Sequence, residues 1–193
     1  MIAFGIIIFL SALQAILGFS GFYLNQNTIP PRLIFLILPS LILIIGLFTT
    51  QKGRQFIDSL DIKALTILHI VRIPVEIVLY WLFLAHTIPQ LMTFEGRNFD
   101  ILSGLTAPLV FYFGFVKQKL PKNALLIWNF ICLALLFNIV ITAILSAKTP
   151  FQKLAFDQPN IAVTYFPFVW LPSIIVPIVL FAHLVSIRQL LKK

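Results

Sequence analysis

Leu68-His69-Ile70-Val71-Arg72-Ile73-Pro74-Val75-Glu76-Ile77-Val78-Leu79-Tyr80-Trp81 sets a histidine, an arginine, a proline and a glutamate into an otherwise apolar run. Such a run fits a helix inside a membrane, provided that its polar groups face other protein. The whole chain supports that reading. Of its 193 residues 60% are hydrophobic and only 10% charged, with a mean hydropathy of +1.04. A soluble domain carries about 25% charged residues, and a chain this small could not bury so much apolar surface. Apolar runs of about 20 residues recur, the length that crosses a hydrocarbon core. A membrane β-barrel would show alternating segments of about ten residues instead.

These features predict an all-α, polytopic integral membrane protein. The expected form is a compact bundle of six transmembrane helices joined by short loops. The expected spans are about 2–23, 33–48, 62–84, 99–116, 123–146 and 161–187, forming one domain. The N-terminal run lacks a basic leader and a cleavage site, so it reads as the first span. Pro39 predicts a bend in the second. Pro167, Pro172 and Pro177 predict an irregular sixth, with carbonyls that need partners. No internal repeat is evident.

Charge sets the orientation. The net charge is +8, and the basic residues stand at the ends of apolar runs. Nine of the 14 fall on one side of a six-span topology: Lys52, Arg54, Lys63, Lys117, Lys119, Lys122, Arg188, Lys192 and Lys193. Arg32, Arg97, Lys148 and Lys153 fall on the other, and Arg72 lies within the membrane. Both termini are therefore expected to be cytoplasmic, in a cell membrane such as a bacterial inner membrane. No basic cluster is interleaved with exposed aromatics, which argues against nucleic acid as a partner. Cys132 stands alone, which excludes a disulfide framework or a thiolate metal site.

The candidate site grows from the opening stretch. On a helix, His69, Glu76 and Tyr80 fall within about 20° of one line, with Arg72 about 60° to the side. Arg72 and Glu76, four residues apart, can pair directly. Pro74 leaves the carbonyl of Ile70 free as a further acceptor. Depth along the helices suggests two layers. The outer holds Arg72, Glu76, Gln14, Asn138 and Thr106, capped by a polar connector with Glu95, Arg97, Asn98 and Asp100. The inner holds His69, Asn129 and His183. Asn98 is expected to cap the fourth span, with Asp100 at its positive end.

Each feature also has a structural reading. Arg72 and Glu76 could be an ion pair that fixes helix register. His69 and His183 read as hydrogen-bonded core histidines rather than metal ligands, for no ligand spacing is present. No metal or cofactor is expected. The function expected is an outward-facing buried polar cavity that binds or transports a small solute or ion, with Arg72 and Glu76 at its floor. Competing readings are a membrane-embedded enzyme acting on a lipid or isoprenoid substrate, and an assembly subunit meeting a membrane protein partner or a second copy. No catalytic residue is identified: a nucleophile elbow, a Cys–His pair and an Asp-rich Mg²⁺ motif are all missing from the sequence.

Overall fold

The computed structural model describes residues 2–25 and 28–192, with side chains from Phe4 onward. Gln26 and Asn27 of the expected first loop, and Lys193 of the basic C-terminus, lie outside them. The described chain is all-helical. Helix α1 is Ile2–Phe19 and α2 is Ile34–Thr49. At Thr50 the chain bends by 92° into α3, Gln51–Asp58. Thr50 makes the corner, its hydroxyl donating to the Gly46 carbonyl at 2.8 Å and accepting from the Gly53 amide at 3.2 Å. This helix falls within what the sequence predicted as a loop. It turns Ile57 inward and leaves Lys52 and Arg54 exposed.

The opening stretch forms α4, Ile62–Leu68, a 3₁₀ turn over His69–Val71, and α5, Arg72–Leu84. Helix α6, Ile101–Phe111, ends in a π-helical turn over Tyr112–Val116. Helix α7 is Lys122–Ser146. A second π-helical turn, Leu171–Ile175, leads into α8, Val176–Lys192. The expected sixth span thus begins about ten residues late, because Pro167 and Pro172 keep 161–170 out of regular helix.

Among the described residues three helices are long and apolar enough to cross a membrane: Ile62–Leu84, Lys122–Ser146 and Leu171–Lys192. The bent pair α2–α3 makes a fourth if counted as one span. This is fewer than the six expected. Phe4–Phe19 and Ile101–Val116 are apolar but shorter; at 1.5 Å per residue each reaches about 24 Å, against about 30 Å of hydrocarbon.

The largest core joins Leu79 and Leu82 of α5, Leu133, Leu136 and Ile139 of α7, and Val179 and Ile187 of α8. Ile88 and Met92, from the connector after α5, belong to the same core.

Prolines decide two of the helix contacts. A proline cannot bond to the carbonyl four residues before it. Pro39 so frees the carbonyl of Phe35, which accepts from the Gln14 amide at 3.0 Å. Pro177 frees that of Ser173, which accepts from the Ser40 hydroxyl at 2.7 Å. The first bond ties α1 to α2 and the second ties α2 to the start of α8. At the other end of α8, Arg188 forks onto Asp58 of α3 at 2.9 and 3.2 Å, and Lys192 joins at 2.5 Å. Gln189 donates to the carbonyls of Ile57 and Leu60, both at 2.9 Å.

Candidate functional site

The connector between α5 and α6 is not a surface loop. Asn98 Nδ2 lies 2.5 Å from Glu76 Oε1. Glu76 is eight residues before the end of α5, so the connector descends about 12 Å along that helix. Its turn is closed on itself by amide bonds from Gly96 and Asn98 to the Thr93 carbonyl, at 2.9 and 3.2 Å. A Cβ at Gly96 would stand 2.9 Å from the Cα of Leu91, so the turn admits only glycine there. Burying Ile88 and Met92 contributes about 1.5–3 kcal/mol each to holding the segment down. Thr93 and Asn98 are buried with them.

Arg72 is the hub of the buried groups, at 2% exposure. Its Nη1 donates to Asp100 Oδ1 at 2.5 Å and to the Cys132 carbonyl at 3.2 Å. Its Nη2 lies 2.8 Å from His183 Nε2. A guanidinium only donates, so Nε2 is the acceptor and the ring proton sits on Nδ1. That proton is donated to Asn129 Oδ1 at 2.9 Å, and Asn129 donates on to the Leu125 carbonyl at 2.9 Å. One unbroken chain of bonds therefore runs from the connector through α5 and α8 to α7.

The expected Arg72–Glu76 pair does not form. Arg72 pairs with Asp100 instead, because the connector brings a carboxylate across the bundle and Glu76 is taken by Asn98. The two expected layers are likewise joined, since Arg72 reaches His183. His69 stacks on His183 with ring centroids 3.9 Å apart and planes 15° from parallel, and Trp128 meets it edge-on at 5.6 Å. The histidines meet, but His183 alone is hydrogen-bonded. Both ring nitrogens of His69 are buried without a partner, as are Glu76 Oε2, Arg72 Nε and Ser103 Oγ.

The close contact of α6 with the 3₁₀ turn depends on Gly104. A Cβ there would fall 2.8 Å from Ile73 Cγ1 and 3.3 Å from the His69 carbonyl. Asn98 does not cap α6 as expected. The helix starts at Ile101, and Asn98 Oδ1 accepts from the Asp100 amide at 3.1 Å. This turn aims Asp100 at Arg72.

Other candidates lie elsewhere. Gln14 accepts from the Tyr23 hydroxyl and serves the α1–α2 junction. Thr106 accepts from Trp128 Nε1 at 3.0 Å, on the histidine side of the cluster. Asn138 is exposed and donates to the Arg97 carbonyl at 2.8 Å, which pins the connector from outside. The side chains of Glu95 and Arg97 are exposed. Tyr80 is half-buried with its ring 5.0 Å from that of Phe94. Glu76, Arg72 and Asp100 are 1%, 2% and 5% exposed, so the connector closes over them, where the sequence predicted an open cavity. A cleft of about 390 Å³ lies between the connector and the loop before α8, lined by Gln90, Gly96, Asp157 and Gln158 among others. Among the described residues no group of three or more His, Cys, Asp or Glu is placed to hold a metal.

The family model that matches this sequence spans residues 29–191. The chain belongs to the family described as Domain of unknown function (DUF8737). The match takes in the whole Arg72 cluster and leaves out α1 with Gln14. No curated protein and no solved structure matches the chain.

Proposed function

We propose that this is a multi-pass protein of a cell membrane whose buried Arg72 cluster binds or transports a small solute or ion. In this reading the six apolar segments cross as one domain with both termini cytoplasmic. The two short segments, and α2 with its 16 residues before the bend, are accommodated by local thinning of the bilayer. The clasp of Asp58 with Arg188 and Lys192 supports the orientation, since it puts α3 and the C-terminal end of α8 on one side.

The observation that carries the proposal is the descent of Asn98 and Asp100 to the level of Glu76 and Arg72. Irregular backbone at membrane depth is tolerated only where it is buried in protein or lines a cavity. Ionisable residues there cost at least about 2.5–3.5 kcal/mol each at the bilayer centre, and where they occur they mark ion and substrate paths. A segment that only joined two helices could pass over the surface. This one instead supplies one partner to each of two buried charged side chains, as a movable plug would.

A thermal-shift screen of small anions, cations and neutral solutes on the purified protein tests the reading. At least one ligand should raise the midpoint of the wild type and fail to do so for Asp100→Ala. Uptake of that ligand into proteoliposomes then separates transport from binding. If every stabilising ligand acts equally on wild type and Asp100→Ala, the cluster is a structural device and the proposal fails.

A further inference from the structure

Glu76 is the one charged side chain of the cluster without a charged partner. Arg72 is matched by Asp100, and Glu76 Oε1 receives only the neutral Asn98 amide. Its Oε2 is buried with no partner, in a residue 1% exposed. With Glu76 ionised the cluster carries one uncompensated negative charge in an apolar core. With Glu76 protonated it is neutral, and what is left unpaired is a hydroxyl rather than a charge. The surrounding titratable and charged groups are Arg72, one turn earlier on the same helix, and Asp100, reached through Asn98. His183, the stacked His69 and Cys132 lie beyond Arg72.

We propose that Glu76 is a proton-binding site whose proton keeps the Asn98–Asp100 connector seated in the bundle. Taking up a proton converts the carboxylate into the neutral acid, with the new O–H on Oε2 and no other bond changed. Release returns the proton to water and leaves a carboxylate one helical turn from Arg72. The Arg72 Nε has no partner, and residues at i and i+4 on a helix are neighbours. The ionised Glu76 therefore competes with Asp100 for the guanidinium. An Arg72 that turns to Glu76 releases Asp100, and with it the plug. This rests on the binding or transport reading only in making the proton the ion that governs access.

Infrared difference spectroscopy of the full chain in sodium-free lipid nanodiscs tests the site without any transport assay. The wild type at neutral pH should show the carbonyl stretch of one protonated carboxylic acid, absent from Glu76→Gln and retained in Glu95→Gln. In case Glu76→Gln does not fold, Asn98→Ala gives a second readout: the band should move to higher frequency as the carbonyl loses its donor. A wild type with no such band, a band that survives in Glu76→Gln, or one unmoved by Asn98→Ala overturns the proton site. Hydrogen exchange tests the plug. Corrected for intrinsic rates, exchange of residues 93–100 should rise at least tenfold at alkaline pH in the wild type and stay flat in Glu76→Gln. Equal behaviour of the two overturns the coupling. Solute uptake by a protein lacking the band would sink this proposal and leave the transport reading standing. An intact band without any ligand binding would do the reverse.

Discussion

Asp100→Ala is the change that most directly tests how the core is held. It removes the one negative charge paired with Arg72, at a site where arginine and aspartate are 2% and 7% exposed by side chain. The hydrogen bonds from Arg72 to Cys132 and His183 remain, but neither acceptor is charged. Breaking a buried pair by removing one partner costs about 3–5 kcal/mol, because the other is left as an uncompensated charge while Glu76 keeps its proton. At about 2–4 °C per kcal/mol for a chain of this size, the midpoint should fall by about 6–20 °C. Thermal unfolding in one detergent, followed by intrinsic fluorescence, reads the shift. The exposed Asp58 pair supplies the control, since Asp58→Ala should move the midpoint far less. The double variant Arg72→Met with Asp100→Leu should recover most of the loss, because apolar replacement of a buried pair is often neutral or stabilising. If Asp100→Ala shifts the midpoint no more than Asp58→Ala does, Arg72 is not an uncompensated charge there and the reasoning falls.

Three further outcomes follow from particular contacts. Ser40→Ala should cost about 1–3 kcal/mol by orphaning the Ser173 carbonyl; in a Pro177→Ala background residue 177 regains its amide, and the cost measured by a double-mutant cycle should shrink. Gly104→Ala should destabilise by about 1–3 kcal/mol through overpacking on Ile73 Cγ1, with Ile73→Ala, which removes that carbon, restoring part of it; an unchanged midpoint would mean that α6 can move away freely. Arg188 and Lys192 hold the Asp58 carboxyl down to about 2, below its unfolded value of about 4. A depressed acid stabilises the folded state above the unfolded value and loses that contribution as pH falls through the folded one. The α3–α8 clasp should thus be intact at pH 5 and open near pH 2, seen as faster proteolysis of the C-terminal turn by an acid-active protease, with no such step in Asp58→Asn.

The sequence showed the polar stripe and not its partners. His69, Arg72 and Glu76 were legible because each stands alone in an apolar run and their spacing puts them on one side of a helix. Matching heights also put His183 at the level of His69, without bringing the two into contact. What could not be read was the path of residues 85–100. A polar, glycine-containing stretch between two apolar runs looks the same whether it crosses over a bundle or dives into it. Ile88 and Met92 were the available signals, being apolar residues in a loop that needed somewhere to go. Helix α3 was missed because eight residues with two lysine or arginine side chains read as loop, although Gly53 and Ile57 are four apart. Six apolar segments were legible, but hydropathy reports only that a segment is apolar; unbroken length is a second requirement, met by three of the described helices, or four with α2–α3 counted as one. Gln14 was assigned to the wrong neighbour by height alone. The better signal was Pro39, which marks the Phe35 carbonyl as an acceptor in search of a donor.

Those proline-freed carbonyls have a consequence for how the bundle finds its alignment. Helices covered in leucine, isoleucine and phenylalanine can slide along one another by a turn and still bury similar area. A single bare oxygen on one rod and a single amide or hydroxyl on the next work as a detent, engaging at one offset only. Gln14 on Phe35 and Ser40 on Ser173 set α1 against α2, and α2 against the start of α8, to the residue. The breaks in the helices thereby act as the graduations against which the smooth surfaces are read.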